Sequence, residues 1–200
     1  MAAKQIWING ENGINTWMCF VKDIELEEAP RRLDARIAAD SKYWLWINGA
    51  QAVFEGGVKR GPYRNGTYCD SLDIAGYLKT GRNRIAVLVW YFGDDGFSHV
   101  SSGQGGLIFD AESIGAVSDG SWKIRKHPAY VKADKGDEPS NFRLAESNVY
   151  FDAARDIGAW YMPGYDVSGW DCADCAENSA WGKLKAYQMY STDCQRKYRA

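Results

Sequence analysis

At 200 residues, 22.4 kDa and 46% hydrophobic content, the chain is long enough for one sizeable core, so one domain over 1–200 is expected. No apolar run reaches the ~18–20 residues of a membrane span, and a net charge of −2 with no basic block argues against nucleic acid and membrane surfaces as partners. Nine Trp and twelve Tyr exceed what an aliphatic core needs and point to strand-rich packing, interfaces or sugar platforms.

The N-terminal stretch MAAKQIWINGENG lacks the apolar segment of a secretory signal, and five cysteines are an odd number, so reduced thiols and a cytoplasmic location are expected. Cys172 and Cys175 have CxxC spacing, but no second ligand pair completes a zinc site, and a structural role is expected for them. Residues 4–8 and 17–24 read as strands on either side of the breaker-rich NGENGINT. The segment 33–40 alternates, with Leu33, Ala35, Ile37 and Ala39 on one side, which is the pattern of a half-buried strand.

The stretch YWLWINGAQAVFEGG, 43–57, fixes the geometry expected of the whole chain. Asn48 and Gly49 accept the positive φ angles of a two-residue type I′ turn, so a tight hairpin is expected. Counting outward pairs Ile47 with Ala50, Trp46 with Gln51, Leu45 with Ala52, Trp44 with Val53 and Tyr43 with Phe54. Tyr43, Leu45, Ile47, Ala52 and Phe54 then share a core face, while Trp44 and Trp46 lie on the other. For these two indoles the readings are a sugar platform, burial under the chain's own loops, or an interface, and interface residues are the assignment carried forward.

From 58 to 70 the sequence is a polar loop carrying Tyr63, Arg64 and Tyr68, and 73–78 forms a short helical turn. The run RNRIAVLVWYF at 82–92 is apolar on both alternations, so it is a central strand covered on both sides. A loop with Asp94, Asp95, Phe97 and His99 follows, then strands at 107–111 and 122–127, a charged loop at 132–140, and strand candidates at 146–151 and 183–189. Short strands separated by turn signals give the expected class: an all-β antiparallel sandwich or jelly roll with only short helical turns.

Chemistry is sparse. With two histidines and no strand-elbow-helix around Ser98, Ser101 or Ser102, a serine triad is disfavoured. Gly103 to Gly106 precedes a strand, so it lacks the helix N-terminus that holds phosphate. Asp94 and Asp95 are adjacent and project apart, unlike a glycosidase pair held ~5–9.5 Å apart. No catalytic residue, cofactor or metal is therefore expected. The better candidates for binding are Tyr63, Arg64, Tyr68, Asp94, Asp95, Phe97 and His99, which mix planar rings with hydrogen-bonding groups as sugar hydroxyls and C–H faces require. The bland alternative is that these rings plug the sandwich ends.

The order of motifs resembles one family. WMCF at 17–20, IAADSKYWLWING at 37–49, RGPYRNGTYCDSLDIAGYL at 60–78, GRNRIAVLVW at 81–90, YFGDDGFSH at 91–99, DGSWKIRKHPAY at 119–130, YFDAARDIGAW at 150–160 and GWDCADCAENSAW at 169–181 look like the N-terminal β-sandwich of bacterial α-L-rhamnosidases. The resemblance implies a galactose-binding-like jelly roll ahead of an (α/α)6 barrel that holds the catalytic carboxylates. These 200 residues do not contain the barrel, so no catalytic residue carries over. The expected function is a non-catalytic accessory domain of a glycoside hydrolase that binds a rhamnose-containing glycan. The alternative is an interaction domain that docks on the catalytic domain of the same protein through its aromatic face, without binding sugar.

Overall fold

The computed structural model describes residues 3–57, 66–96, 99–131, 146–176, 181 and 183–186. In chain order its strands are β1 (Ile6–Trp7), β2 (Thr16–Leu26), β3 (Asp34–Asp40), β4 (Lys42–Ile47), β5 (Ala50–Gly57), β6 (Gly66–Asp73), β7 (Gly81–Tyr91) and β8 (Gly106–Ala111). They continue as β9 (Ala116–Val117), β10 (Lys123–Lys126), β11 (Tyr130–Val131), β12 (Tyr150–Phe151), β13 (Asp171–Cys172), β14 (Asp174–Cys175) and β15 (Lys183–Ala186). The described helical structure is three single turns, at Ala75–Tyr77, Glu112–Ile114 and Ala153–Arg155.

Two sheets face each other. One runs β14-β1-β8-β3-β6-β15 with β9 beside β8, and the other runs β13-β10-β2-β7-β4-β5. Pairing is antiparallel throughout the described ladders except between β6 and β15. Alternation builds the core between them: Met18 and Phe20 of β2, Tyr43, Leu45 and Ile47 of β4, and Ile85, Val87, Val89 and Tyr91 of β7 meet Ala35, Ile37, Leu107 and Phe109 of the opposite sheet. The expected all-β sandwich is the fold observed, and β7 is central and covered on both faces.

The hairpin turn forms as expected, with φ of 52° at Asn48 and 83° at Gly49. Asn48 also ties the turn to the sheet: its Nδ2 donates to Tyr77 O (2.9 Å) and Asn83 Oδ1 (2.7 Å), and its Oδ1 accepts from Arg84 N (3.0 Å). Beyond the first two pairs the counted register fails. Leu45 pairs with Val53 and Tyr43 with Gly56, because β5 carries one extra residue at Ala52 and a second where Phe54 and Glu55 together oppose Trp44, Glu55 standing at φ 53°. Each extra residue reverses the facing of the strand. Phe54, expected in the core, is therefore 71% exposed and stands edge-on to Trp44 at 6.3 Å, while Val53 packs inward. In its place Gly56 lies under the Tyr43 ring, where a Cβ would come within 2.4 Å of Cζ. The Tyr43 hydroxyl donates to Asp70 Oδ2 at 2.8 Å, which satisfies a polar group placed between the sheets.

One other expectation needs correction. The polar loop reaching Asp70 is in its second half the strand β6, which pairs with β3 on one side and β15 on the other; its Cys69 packs on the outer face of that sheet with Ala38, Ile108 and Trp181. The acidic stretch after 170 contributes two strand pieces. Asp171–Cys172 pairs with β10 and Asp174–Cys175 with β1, so the CxxC segment steps from one sheet to the other, and Ala173 N donates to Trp122 O between them.

Candidate functional site

Tyr63, Arg64 and Phe97 lie outside the described residues. Tyr68 stands half-buried on β6, whereas Asp94, Asp95 and His99 belong to the loop that leaves β7 of the other sheet. Asp94 and Asp95 are exposed; Asp95 N donates to Asp94 Oδ1 (2.8 Å), and Asp95 Oδ1 accepts from Ser101 N (2.7 Å), so this carboxylate closes its own loop.

His99, expected as a binding group, is only 5% exposed. Its Nε2 is 3.3 Å from Ser41 Oγ and 3.5 Å from Asp40 Oδ1. Ser41 Oγ donates to Asp40 Oδ1 at 2.8 Å, and Asp40 Oδ2 accepts from Ser102 N at 2.6 Å. Serine, histidine and aspartate thus meet, but as an anchor. Ser41 is buried, and the carboxylate approaches the same ring nitrogen as the hydroxyl, whereas a catalytic triad needs it on the opposite nitrogen. The group pins the loop to the end of β3, and Trp181 Nε1 adds a bond to Ser102 Oγ (2.9 Å).

The outer face of the β2-β7-β4 sheet carries a second arrangement. Trp17 stacks on Tyr130 at 3.8 Å, on Trp90 at 4.5 Å and on Trp44 at 5.5 Å. Trp46 stacks on Tyr161 at 5.0 Å and meets Trp160 edge-on at 5.9 Å. The segment 157–170 therefore covers part of this face, and both indoles singled out from the sequence are half-buried beneath it or beside it. A buried cation fastens the cover. Arg84, 2% exposed, pairs bidentately with Asp23, its cross-strand partner, and its Nη1 donates to the carbonyls of Met162 (3.1 Å) and Tyr165 (2.7 Å). This clamp had a sequence signal. Arg84 shares its alternation with Ala86, Leu88 and Trp90, so a charge there had to be paired.

Burial alone would raise the Asp40 pKa, but hydrogen bonds from His99, Ser102 and Ser41 outweigh it and hold the carboxyl below its usual range. At Asp23, burial is likewise outweighed by Arg84 and Arg82. His127 is shifted down by burial, partly offset by Asp156. All three native pKa values lie below their unfolded values, so the unfolded chain binds more protons and stability falls with falling pH. A shallow loss is expected below about pH 6.5 from His127 and a steeper one below about pH 4 from the two carboxyls. Urea unfolding at pH 7, 5 and 3.5 checks this: an Asp40→Asn, Asp23→Asn double variant should show a flatter acid limb, and an unchanged slope would refute the assignment.

Among the described residues no group of three or more His, Cys, Asp or Glu side chains is placed to hold a metal ion, and no helix is long and apolar enough to cross a membrane.

No family model and no curated protein matches the chain. Solved structures do. A GH78 family rhamnosidase of Bacillus sp. GL1 is similar at 29% identity and TM-score 0.78, over 93% of this chain and 20% of that one. An α-L-rhamnosidase from Dictyoglumus thermophilum shares the fold at 20% identity and TM-score 0.65, over 92% of this chain and 22% of its own. A lectin from Pleurotus ostreatus, solved in complex with GalNAc, shares it at 19% identity and TM-score 0.54, over 92% of this chain and 46% of the lectin. The chain thus has the β-sandwich architecture of a unit within α-L-rhamnosidases and spans about a fifth of their length.

Proposed function

We propose that this sandwich is a non-catalytic accessory domain of an α-L-rhamnosidase-like glycoside hydrolase, that hydrolysis belongs to another part of the polypeptide, and that the sandwich contacts a rhamnose-containing glycan. The observation that carries the reading is the likeness to one rhamnosidase along 93% of this chain but only 20% of that enzyme. The sugar contact is supported by a lectin of the same fold having been solved with GalNAc. The purified 200-residue chain is expected to release no p-nitrophenol from p-nitrophenyl α-L-rhamnopyranoside. Turnover that co-purifies with the chain and scales with its concentration would make it an enzyme in its own right and overturn the proposal.

One observation favours the docking alternative. Phe54, Tyr150 and Phe151 are 71%, 46% and 49% exposed, and Phe54 and Phe151 end the chain of rings that crosses the outer face through Trp44, Trp17 and Tyr130. On that reading the occupant of the face is the remainder of a rhamnosidase-sized polypeptide, and the sandwich binds no sugar.

A further inference from the structure

Away from the His99 loop and the aromatic face, a cleft of about 470 Å³ opens at the edge of the β14-β1-β8 sheet. Trp7, the Asn9, Gly10 and Asn12 turn, Gln104 and Asp174 line it. Its volume falls within the ~300–1,000 Å³ of ligand pockets.

Three separate parts of the chain form the walls, and the fold fixes each of them. Trp7 pairs with Asp174 across β1 and β14, and Asn9 N donates to Asp174 Oδ2 at 2.8 Å, which holds the turn against the strand. Trp7 Nε1 donates to Glu11 O at 2.6 Å, so the indole is oriented before any ligand arrives. Gly105 passes against that ring so closely that a Cβ would come within 2.3 Å of Cε2, which positions Gln104 at the rim.

We propose that this cleft is the sugar-binding site of the domain and that it takes a neutral pyranoside of a rhamnose-containing glycan; the inference rests on the accessory-domain reading above. The side-chain amides of Asn9, Asn12 and Gln104 have no hydrogen-bond partner among the described residues. Each amide offers two donors and one acceptor, the pairing that vicinal hydroxyls require. Asp174 is the one charged residue among the described lining residues, and its carboxylate adds an acceptor; the rim of the Trp7 indole, 8% exposed, adds a small apolar patch. Among the described residues the lining has amides, one acceptor anion and no cation, which disfavours phosphate and suits a polyol. Asp94, Asp95 and His99 by contrast are engaged in closing and anchoring their loop.

Titration of 15N-labelled chain with L-rhamnose, and in parallel with D-galactose, tests the site. The Trp7 indole N–H resonance should shift with L-rhamnose, and Asn12→Trp, which fills the cleft, and Gln104→Ala, which removes one amide, should each weaken binding at least tenfold. Asp94→Ala should bind as the parent does. Both cleft positions are exposed, so thermal unfolding midpoints should stay near the parent value. Binding that survives both cleft variants would overturn the location while leaving the accessory reading intact. A parent chain that shifts no resonance with either sugar would overturn the site and leave the docking alternative. Failure of the accessory reading itself shows separately, as hydrolysis of the aryl rhamnoside.

Discussion

Arg84→Met is expected to destabilise the domain by about 3–5 kcal/mol, the range for breaking a buried ion pair by removing one partner. The side chain is 2% exposed and answers a carboxylate and backbone carbonyls at once: Asp23 Oδ1 at 2.7 Å and Oδ2 at 2.8 Å, with Met162 O and Tyr165 O on the far side. Methionine fills much of the volume but leaves Asp23 Oδ1 and the two carbonyls without the guanidinium that joins them, while Arg82 Nη2 still reaches Asp23 Oδ2 at 2.9 Å. The loss should be local first. Trp160 and Tyr161 depend on this clamp for their place over Trp46, so tryptophan emission should shift to the red at denaturant concentrations that leave the β-sheet circular dichroism unchanged. A single coincident transition displaced by less than about 1 kcal/mol, as for a solvent-exposed pair, would sink the clamp.

Trp17→Ala should cost a similar amount, about 3–5 kcal/mol, by a different route. Trp17 is buried on the outer face and touches Tyr130, Trp90 and Trp44 through its ring, so alanine leaves a cavity with three large walls. Tyr130 belongs to the two-stranded β11-β12 ribbon, and His127 N donates to Trp17 O, so the same position carries the chain toward that ribbon. The stacked Trp17 and Trp90 rings, 14° from parallel, should give a strong near-ultraviolet dichroic band. That band should vanish in Trp17→Ala and return in part in Trp17→Phe. Alanine with the band intact, or with a cost under about 1 kcal/mol, would remove Trp17 from the centre of this layer.

Much of the architecture was legible from local rules. The Asn48 and Gly49 turn, the buried β7 with two apolar alternations, the strand at Asp34–Asp40 and the helical turn near Ala75–Tyr77 all follow from turn chemistry and periods of two. The misses have identifiable physical causes. Phe54 left the core because bulges in β5 reversed its facing, and a bulge has no residue signature as firm as Asn-Gly. β6 was hidden because Thr67 to Asp70 follow the turn signal Asn65-Gly66 without an apolar alternation, and their pairing comes from β3 and β15, distant in sequence. The candidate site was legible only as residue types. His99 has the chemistry of a binding group, but its burial against Asp40 and Ser41 depends on where the β7-β8 loop folds.

The order of apolar, polar and turn residues thus determined an antiparallel sandwich, its tight hairpin and its central strand, because alternation with a period of two and turn chemistry are written in neighbouring residues. Long-range packing alone decided the rest. It brought Asp23 opposite Arg84, laid 157–170 over Trp46, and set Trp7, Asn12, Gln104 and Asp174 around one cleft. Apart from Trp7 and Asn12, which share one turn, these groups lie from tens of residues to more than a hundred and sixty apart in sequence, and only the stacking of two twisted sheets and the loops that cross their edges makes them neighbours.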